Sequence, residues 1–516
     1  MTAIHPQTLL ERPFGTLAEL IAGWAAVAPN QPALIQDARQ LDFAELDRQM
    51  DAVAAALQRE GVEPGEAIAL CGLNSIDYAV VFLGALRAGV AVAPLAPSAS
   101  AQSLHGMLED AQARLLFVDA VGRDRLAEAP AVEQARHVAL DALGDWLGDG
   151  RSPRPVEVDP QSAFNIIYSS GTTGTPKGIV QSHAMRWAHI RRSAAYAYGC
   201  DARALISTPL YSNTTLVAFL PALALGGTVV LLQKFDAGHY LELAARHRIT
   251  HSMLVPVQYQ RIMAHPAFEA FDLSAFRYKF CTSAPFHAEL KADVLRRWPG
   301  GLVEFYGMTE GGGTCILEAH LFRDKLHTVG RPADGHDIRL IDEAGRELPP
   351  GSIGEVVGHS PAMMQGYLNK PDKTAEAEWF DEAGKRFIRT GDVGRFDADG
   401  FLTLLDRRKD MIISGGFNLY PSDLEGILRE HPAVADVTVV GIPSRSWGES
   451  PVAFVVARED GRESAEQLLG WFNARVGKTQ RLARLEWRGE LPRSAIGKVL
   501  KRELRDEFLA REGELP

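Results

Sequence analysis

The stretch Tyr168-Ser-Ser-Gly-Thr-Thr-Gly-Thr-Pro-Lys-Gly178 decides how this chain is read. An apolar run at residues 164–168 leads into it and another at 178–181 leaves it, which predicts a loop between two buried strands. Its glycines let the backbone approach a polyanion. Its hydroxyls and amide N–H groups can wrap phosphate oxygens, and Lys177 adds a point charge. No Gly-Lys-Ser/Thr stands at the spacing of a Walker loop. A flexible Ser/Gly linker is the competing reading, and the flanking strands and the embedded Pro-Lys-Gly weigh against it.

Working outward, strands and helices alternate. Asp42 is a plausible N-cap for a helix in which Phe43, Leu46, Met50, Val53 and Leu57 recur at helical spacing until Gly61 stops it. Residues 67–72 read as a strand, 76–87 as a helix and 90–94 as a strand. The rhythm resumes from 204 to 306, with strands at 250–255 and 278–282. Such alternation predicts an α/β fold of helix-covered, mostly parallel sheets with ligands at the carboxyl ends of strands. After Gly330 short strands at 336–341, 354–359, 387–390 and 401–405 form a β-rich subdomain. From Met411 a small α+β domain of about 100 residues follows, with helices at 421–430, 464–476 and 498–508.

The 516 residues, 46% hydrophobic and 23% charged with a net charge of −11, describe a multidomain soluble enzyme. Without basic runs, an acidic chain is a poor nucleic-acid binder. Four widely spaced cysteines suggest neither a disulfide framework nor a zinc site. The charge-free stretch 216–232 is broken by Pro221 and Gly226-Gly227 into a short helix and a strand, which argues against a membrane span. No basic segment followed by an apolar one opens the chain, so a cytoplasmic location is expected. Residues 471–516 hold 11 Lys or Arg against 7 Asp or Glu, either a solvated surface or a face that meets nucleotide phosphates.

The loop at 168–178 resembles the phosphate-binding signature of the adenylate-forming superfamily, which includes acyl- and aryl-CoA ligases, peptide-synthetase adenylation domains and beetle luciferases. Further motifs of that family follow in its order: Tyr306-Gly-Met-Thr-Glu310, Arg389-Thr-Gly-Asp-Val-Gly394, Asp406-Arg-Arg-Lys-Asp410, Ser414-Gly-Gly-Phe-Asn418 and Pro492-Arg-Ser-Ala-Ile-Gly-Lys498. The resemblance extends over essentially the whole chain. It implies an AMP-forming carboxylic acid:CoA ligase, using ATP, Mg2+ and coenzyme A on a small-molecule acid. It further implies an adenylation domain at residues 1–406 and a mobile domain at 407–516, with Lys409 as the hinge. A monomer or homodimer is expected.

By the same resemblance, Ser169, Ser170, Gly171, Thr172, Thr173, Gly174 and Lys177 hold ATP phosphates. Tyr306 stacks on the base, with Ala284 beside it. Thr309 bonds the α-phosphate and Glu310 ligates Mg2+. Asp392 and Arg407 hold the ribose, and Lys498 stabilises the charge that builds during adenylation. Asn418 matches a position lining the nucleotide site or the CoA tunnel, and Gly415 and Gly416 match the tunnel wall. Tyr211, Ser212, Asn213, Gly307 and Met308 belong to the acyl pocket. The segment Pro209-Leu-Tyr-Ser-Asn-Thr214 keeps the aromatic common in aryl-CoA ligases, has Ser212 where a bulky gate is common, and lacks the Asp that binds an α-ammonium. Together with Gly311–Gly313, read either as room for a bulky acid or as a flexible turn, it favours an aryl, alicyclic or medium-chain acid. An acyl-AMP ligase loading a carrier protein in trans is the alternative. A non-catalytic ATP- or acid-binding regulator would need damaged motifs, and Lys177, Glu310, Asp392 and Lys498 are all present.

Overall fold

The computed structural model describes residues 4–128, 135–148, 152–169, 176–407, 409–415, 417–458, 463–494 and 497–515. The chain divides into two compact units: residues 1–337 with 358–388, and residues 338–357 with 389–516.

Among the described residues the first unit builds two large sheets. One runs, in spatial order, 366–367, 177–182, 163–169, 91–95, 67–71, 115–118 and 136–139. The other runs 331–332, 314–318, 301–307, 278–281, 251–254, 203–206, 228–231, 32–36 and 39–42. Their central pairings are parallel; both edges of the second sheet are antiparallel, whereas the first is antiparallel only at its 366–367 edge and stays parallel at 136–139. Ala67–Cys71 and Ala91–Leu95 are buried at every position, as strands covered on both faces must be.

The helix Phe43–Arg59 begins where the pattern places it. Asp42 Oδ1 accepts from Glu45 N at 2.8 Å, and Phe43, Leu46, Met50, Val53 and Leu57 are all buried. It packs on the helix Ile76–Arg87, where a Cβ on Gly84 would stand 2.5 Å from Val53 Cβ. Only glycine permits that approach. The charge-free stretch is a short helix, Asn213–Ala224, followed by a strand, Thr228–Leu231, as the sequence predicts, with Pro221 inside the helix rather than at its end. The stop is Gly226, at φ +86, where Gly227 N donates to Ala222 O at 2.8 Å. No helix among the described residues is long and apolar enough to cross a membrane.

Chain order reverses at strand 67–71 in one sheet and at strand 203–206 in the other, and such switch points open crevices at carboxyl ends. Asn74 ties the two together. Its Nδ2 donates to Thr208 O and to Leu232 O, both at 3.0 Å, and its Oδ1 accepts from Leu210 N at 2.8 Å.

In the second unit a sheet runs 417–419, 412–414, 448–457 and 434–444, with 484–488 added to 448–457. Helices Pro421–Arg429, Ala465–Asn473 and Lys501–Glu512 belong to it. The last of these starts three residues later than the sequence suggests. Three cations of 471–516 pair with acids outside that segment, Arg493 with Asp436, Lys501 with Glu425 and Arg505 with Glu449, which takes up most of its basic surplus of 4. Lys501, a surface charge by its sequence context, instead donates to the buried Glu425 at 2.9 Å, which also pairs with Arg429.

Candidate active site

The strand Ala163–Ser169 (β1) pairs antiparallel with Lys177–Ser182 (β2), so the two strands that flank the hydroxyl-rich stretch lie side by side in one sheet. Ser170, Gly171, Thr172, Thr173 and Gly174 lie outside the described residues, and of Ser169 only the backbone is described, opposite Lys177. The helix His183–Ser193 (α1) follows β2, and Asn213–Ala224 is α2. Ser212 is the N-cap of α2: its Oγ accepts from Thr214 N at 3.3 Å. Tyr211 is half-buried beside Ser98 and Cys71, so it sits at the switch point, and burial raises the pKa of its hydroxyl.

The strand Gly301–Gly307 (β3) carries Tyr306 and exposed Gly307 at its carboxyl end, then turns back through Met308, Thr309 and Glu310 into Thr314–Glu318 (β4). Gly311 and Gly312 in that turn allow close packing. Gly311, at φ +74, has no room for a Cβ, which would fall 2.0 Å from Ala362 O, and one on Gly312 would fall 2.6 Å from Ile388 Cβ. The glycines press the turn against residues 360–388, fixed by Ser360 Oγ donating to Gly311 O at 2.7 Å. Met308 packs on Ile179, Met364, Tyr367 and Ile388. Ser283, next to Ala284, holds φ +83, a conformation strained for a side-chain residue, and bonds Thr214.

Two groups missed from sequence join these parts. Tyr367 donates to Glu310 Oε1 at 2.8 Å, and Lys177 Nζ lies 4.5 Å from the centre of the same ring. The ammonium of Lys177 and the carboxylate of Glu310 therefore meet on one phenol. Second, Gln181 Nε2 donates to Thr309 O at 2.7 Å, while its Oε1 receives Asn165 Nδ2 at 2.9 Å and a guanidinium N–H of buried Arg186. Arg186 also reaches Asn213 Oδ1 at 2.9 Å, so Asn213 and Thr309 share one amide–guanidinium network. On β3, buried Glu304 meets buried Lys291, whose Nζ also donates to Leu326 O at 2.8 Å and Thr328 O at 3.0 Å.

In the second unit, Arg386–Phe396 (β5) continues from the first unit and pairs with Leu402–Arg407 (β6), setting Asp392 opposite Arg407. Arg407 Nε lies 3.2 Å from Asp392 Oδ1. Thr390 Oγ1 accepts from Asp392 N at 3.0 Å and donates to Val356 O at 2.8 Å, which fixes the turn. Lys409 is exposed in a turn closed by Asp410 N and Met411 N on Arg407 O. Gly415 donates its N–H to Trp447 O at 2.8 Å, and a Cβ there would stand 2.7 Å from the indole. Gly416 lies outside the described residues, and of Asn418 only the backbone is described, opposite Ile413. Lys498 is exposed, its backbone held by Ser494.

The profile of the family described as "AMP-binding enzyme" matches residues 21–368, and that of the "AMP-binding enzyme C-terminal domain" matches 423–498. The chain belongs to the AMP-binding enzyme family. Among curated relatives, a feruloyl-CoA synthase of Amycolatopsis is 34% identical over 94% of this chain and 97% of its own. The fatty acid–[acyl-carrier-protein] ligase ScoC of Streptomyces coeruleorubidus is 32% identical, over 98% and 97%. Among solved structures, ATP-bound MatB from Rhodopseudomonas palustris superposes with a TM-score of 0.84 at 28% identity, covering 95% of this chain and 99% of that one. Within this AMP-binding enzyme, the two missed groups had no motif to announce them. Tyr367 lies 57 residues from Glu310, and Gln181 follows the signature without belonging to it.

Proposed function

We propose that this AMP-binding enzyme is an AMP-forming carboxylic acid:CoA ligase acting on an aryl, alicyclic or medium-chain acid. The acid's carboxylate attacks the α-phosphate of ATP, releasing pyrophosphate and leaving acyl-AMP; the CoA thiol then attacks the acyl carbon and AMP departs. The observation that carries the reading is the meeting of Lys177 and Glu310 on Tyr367. It couples a cation suited to phosphate with a carboxylate suited to a hard metal ion.

Each residue then has a task. Residues 169–174 and Lys177 hold the phosphates, Tyr306 and Ala284 border the base, and Asp392 and Arg407 take the ribose hydroxyls. Thr309, braced through its carbonyl by Gln181, presents its hydroxyl to the α-phosphate. Among the described residues no three potential ligands cluster, which suits Mg2+, an ion that commonly takes one or two carboxylates and completes its shell with phosphates and water. Glu310 would hold it, and the ion would neutralise triphosphate charge. Gly415 and Gly416 line the pantetheine path, with Asn418 at its junction with the nucleotide site. A cytoplasmic location fits these small-molecule substrates.

A second reading has one observation in its favour, the carrier-protein ligase among the relatives. A pyrophosphate-release screen over carboxylic acids, followed by acyl transfer to CoA or to a carrier protein, tests both. Pyrophosphate that depends on acid, with thioester formed only on CoA, supports the ligase. Transfer to carrier protein alone replaces it with the second reading.

The acyl pocket has its own test. Ser212→Trp adds bulk beside Tyr211 and removes the α2 cap, costing about 1 kcal/mol of stability. It should raise KM for the acid about tenfold or more, the scale of a pocket-volume change, and leave KM for ATP nearly unmoved. Ser212→Ala, which removes only the cap, should leave both constants near wild type. Equal effects on acid and ATP would move Ser212 out of the pocket.

We place the hinge between residues 1–406 and 407–516 at Lys409. Proline there fixes φ while sparing the two N–H groups that close the turn on Arg407. Lys409→Pro should slow thioester formation several-fold more than acyl-AMP formation. Unchanged CoA turnover in the folded variant would move the hinge elsewhere.

A further inference from the structure

Helix α1 carries Arg186, His189 and Arg192 at intervals of three, on one face and over a length of about 9 Å. Arg186 is 1% exposed. Among the described residues it bonds only the neutral amides of Asn165, Gln181 and Asn213, and its Nη1 is buried without a partner. His189 Nδ1 is buried and likewise unpartnered. Burial, then Arg186, Arg192 and His336, hold this imidazole well below its ordinary range, so it stays neutral.

The far end of the row holds a donor conflict. Arg192 Nη1 lies 3.1 Å from His336 Nε2, and His336 Nδ1 accepts from Thr314 N at 2.9 Å. Burial and Arg192 lower the pKa of His336 to about 4, so the ring carries one proton. On Nε2 that proton faces the guanidinium; on Nδ1 it faces the Thr314 amide. Either tautomer sets donor against donor. Among the described residues, no carboxylate bonds or pairs with Arg186, His189, Arg192 or His336. The acid felt nearby, Glu318, acts on Tyr196. Half-buried donors and a permanent cation without an acceptor are costly unless a ligand supplies one.

The position of the row says which ligand. Arg186, at one end, bonds Asn213 of the acyl segment. At the other, Thr314 pairs with Gly307, another acyl-pocket residue, across β3 and β4. We propose that the acid substrate carries a second acceptor oxygen, carboxylate or keto, at the end remote from its reacting carboxyl, and that Arg192 and His336 receive it, with His189 beside them. This rests on the ligase reading and names its substrate class.

The test is acid-dependent pyrophosphate release by the full-length enzyme with cinnamate, 4-acetylcinnamate, 4-carboxycinnamate and 4-(aminomethyl)cinnamate. At least one oxygen-bearing acid should exceed cinnamate in kcat/KM by about 10- to 100-fold, the worth of a charge-assisted hydrogen bond, and the cationic acid should be poorest. Preference for the carboxylate or for the ketone tells the two oxygen sources apart. In Arg192→Leu the ratio over cinnamate should collapse towards one, and in Arg192→Lys a carboxylate preference should partly survive. Activation of cinnamate with no preference for the oxygen-bearing acids overturns this inference and leaves the ligase reading standing, as does a ratio that survives Arg192→Leu. Failure to activate any acid of this set or of the wider screen overturns the ligase reading and this inference together.

Discussion

Lys498→Ala should lower acyl-AMP formation about 10²–10³-fold, or roughly 3–4 kcal/mol of transition-state stabilisation, the usual loss for one such donor. The carboxylate and the α-phosphate are both anionic, and their approach builds charge that a positioned ammonium offsets. The second step has no such repulsion, because a thiol attacks the carbonyl of an acyl-AMP already made. The chain prepares Lys498 for a specific place. Ser494 N donates to Lys498 O at 2.8 Å, Lys498 N donates to Ser494 Oγ at 3.2 Å, and Gly497 turns between them at φ +78. Arg493 clamps this turn by donating to Gly497 O at 2.7 Å while pairing with Asp436. Supplied acyl-AMP should therefore restore most CoA-ester formation in the variant. A variant that makes acyl-AMP at the wild-type rate, or that uses supplied acyl-AMP just as poorly, removes Lys498 from the role.

The second large effect is on stability. Lys291 and Glu304 form an ion pair with side chains 1% and 5% exposed, and Glu304 lies on the strand that presents Tyr306, two residues before it. Burial raises the pKa of Glu304 and Lys291 opposes that rise, so the carboxylate depends on its partner. Lys291→Met strands a buried charge and leaves Leu326 O and Thr328 O without their donor. It should cost about 3–5 kcal/mol of unfolding free energy by denaturant titration. The double variant Lys291→Met with Glu304→Leu should recover a large part of that loss. Equal destabilisation of single and double variants would show that packing, not the unpaired charge, sets the cost.

What could be read from sequence was local and periodic. Asp42 announced a helix because a short acceptor precedes residues at 3.6 spacing, and the all-apolar runs at 67–71 and 91–95 announced covered parallel strands. Of the two breakers named for the charge-free stretch, the glycine pair made the stop between helix and strand; Pro221 stays inside the helix because a proline prohibits only its own N–H bond and crowds one carbonyl, which a helix packed on all sides can tolerate. The glycines after Glu310 were legible as unusual but not as to cause. Their reason is the approach of Ala362 O and Ile388, far along the chain. Tyr367, Gln181 and Arg186 escaped for the same reason. Each matters through a partner that only the tertiary fold supplies. Lys501 looked like a surface lysine because Glu425, which fixes it, lies 76 residues away.

Attack of the acid on the α-phosphate of ATP is tested most directly by isotope transfer. Incubating the enzyme with ATP, CoA and an acid bearing 18O in both carboxyl oxygens, then weighing the products by mass spectrometry, follows the bond that forms. One 18O should appear in AMP, one should remain in the acyl thioester, and pyrophosphate should carry none. Label in inorganic phosphate with unlabelled nucleotide would mean attack at the γ-phosphate, and would contradict an acyl-AMP intermediate.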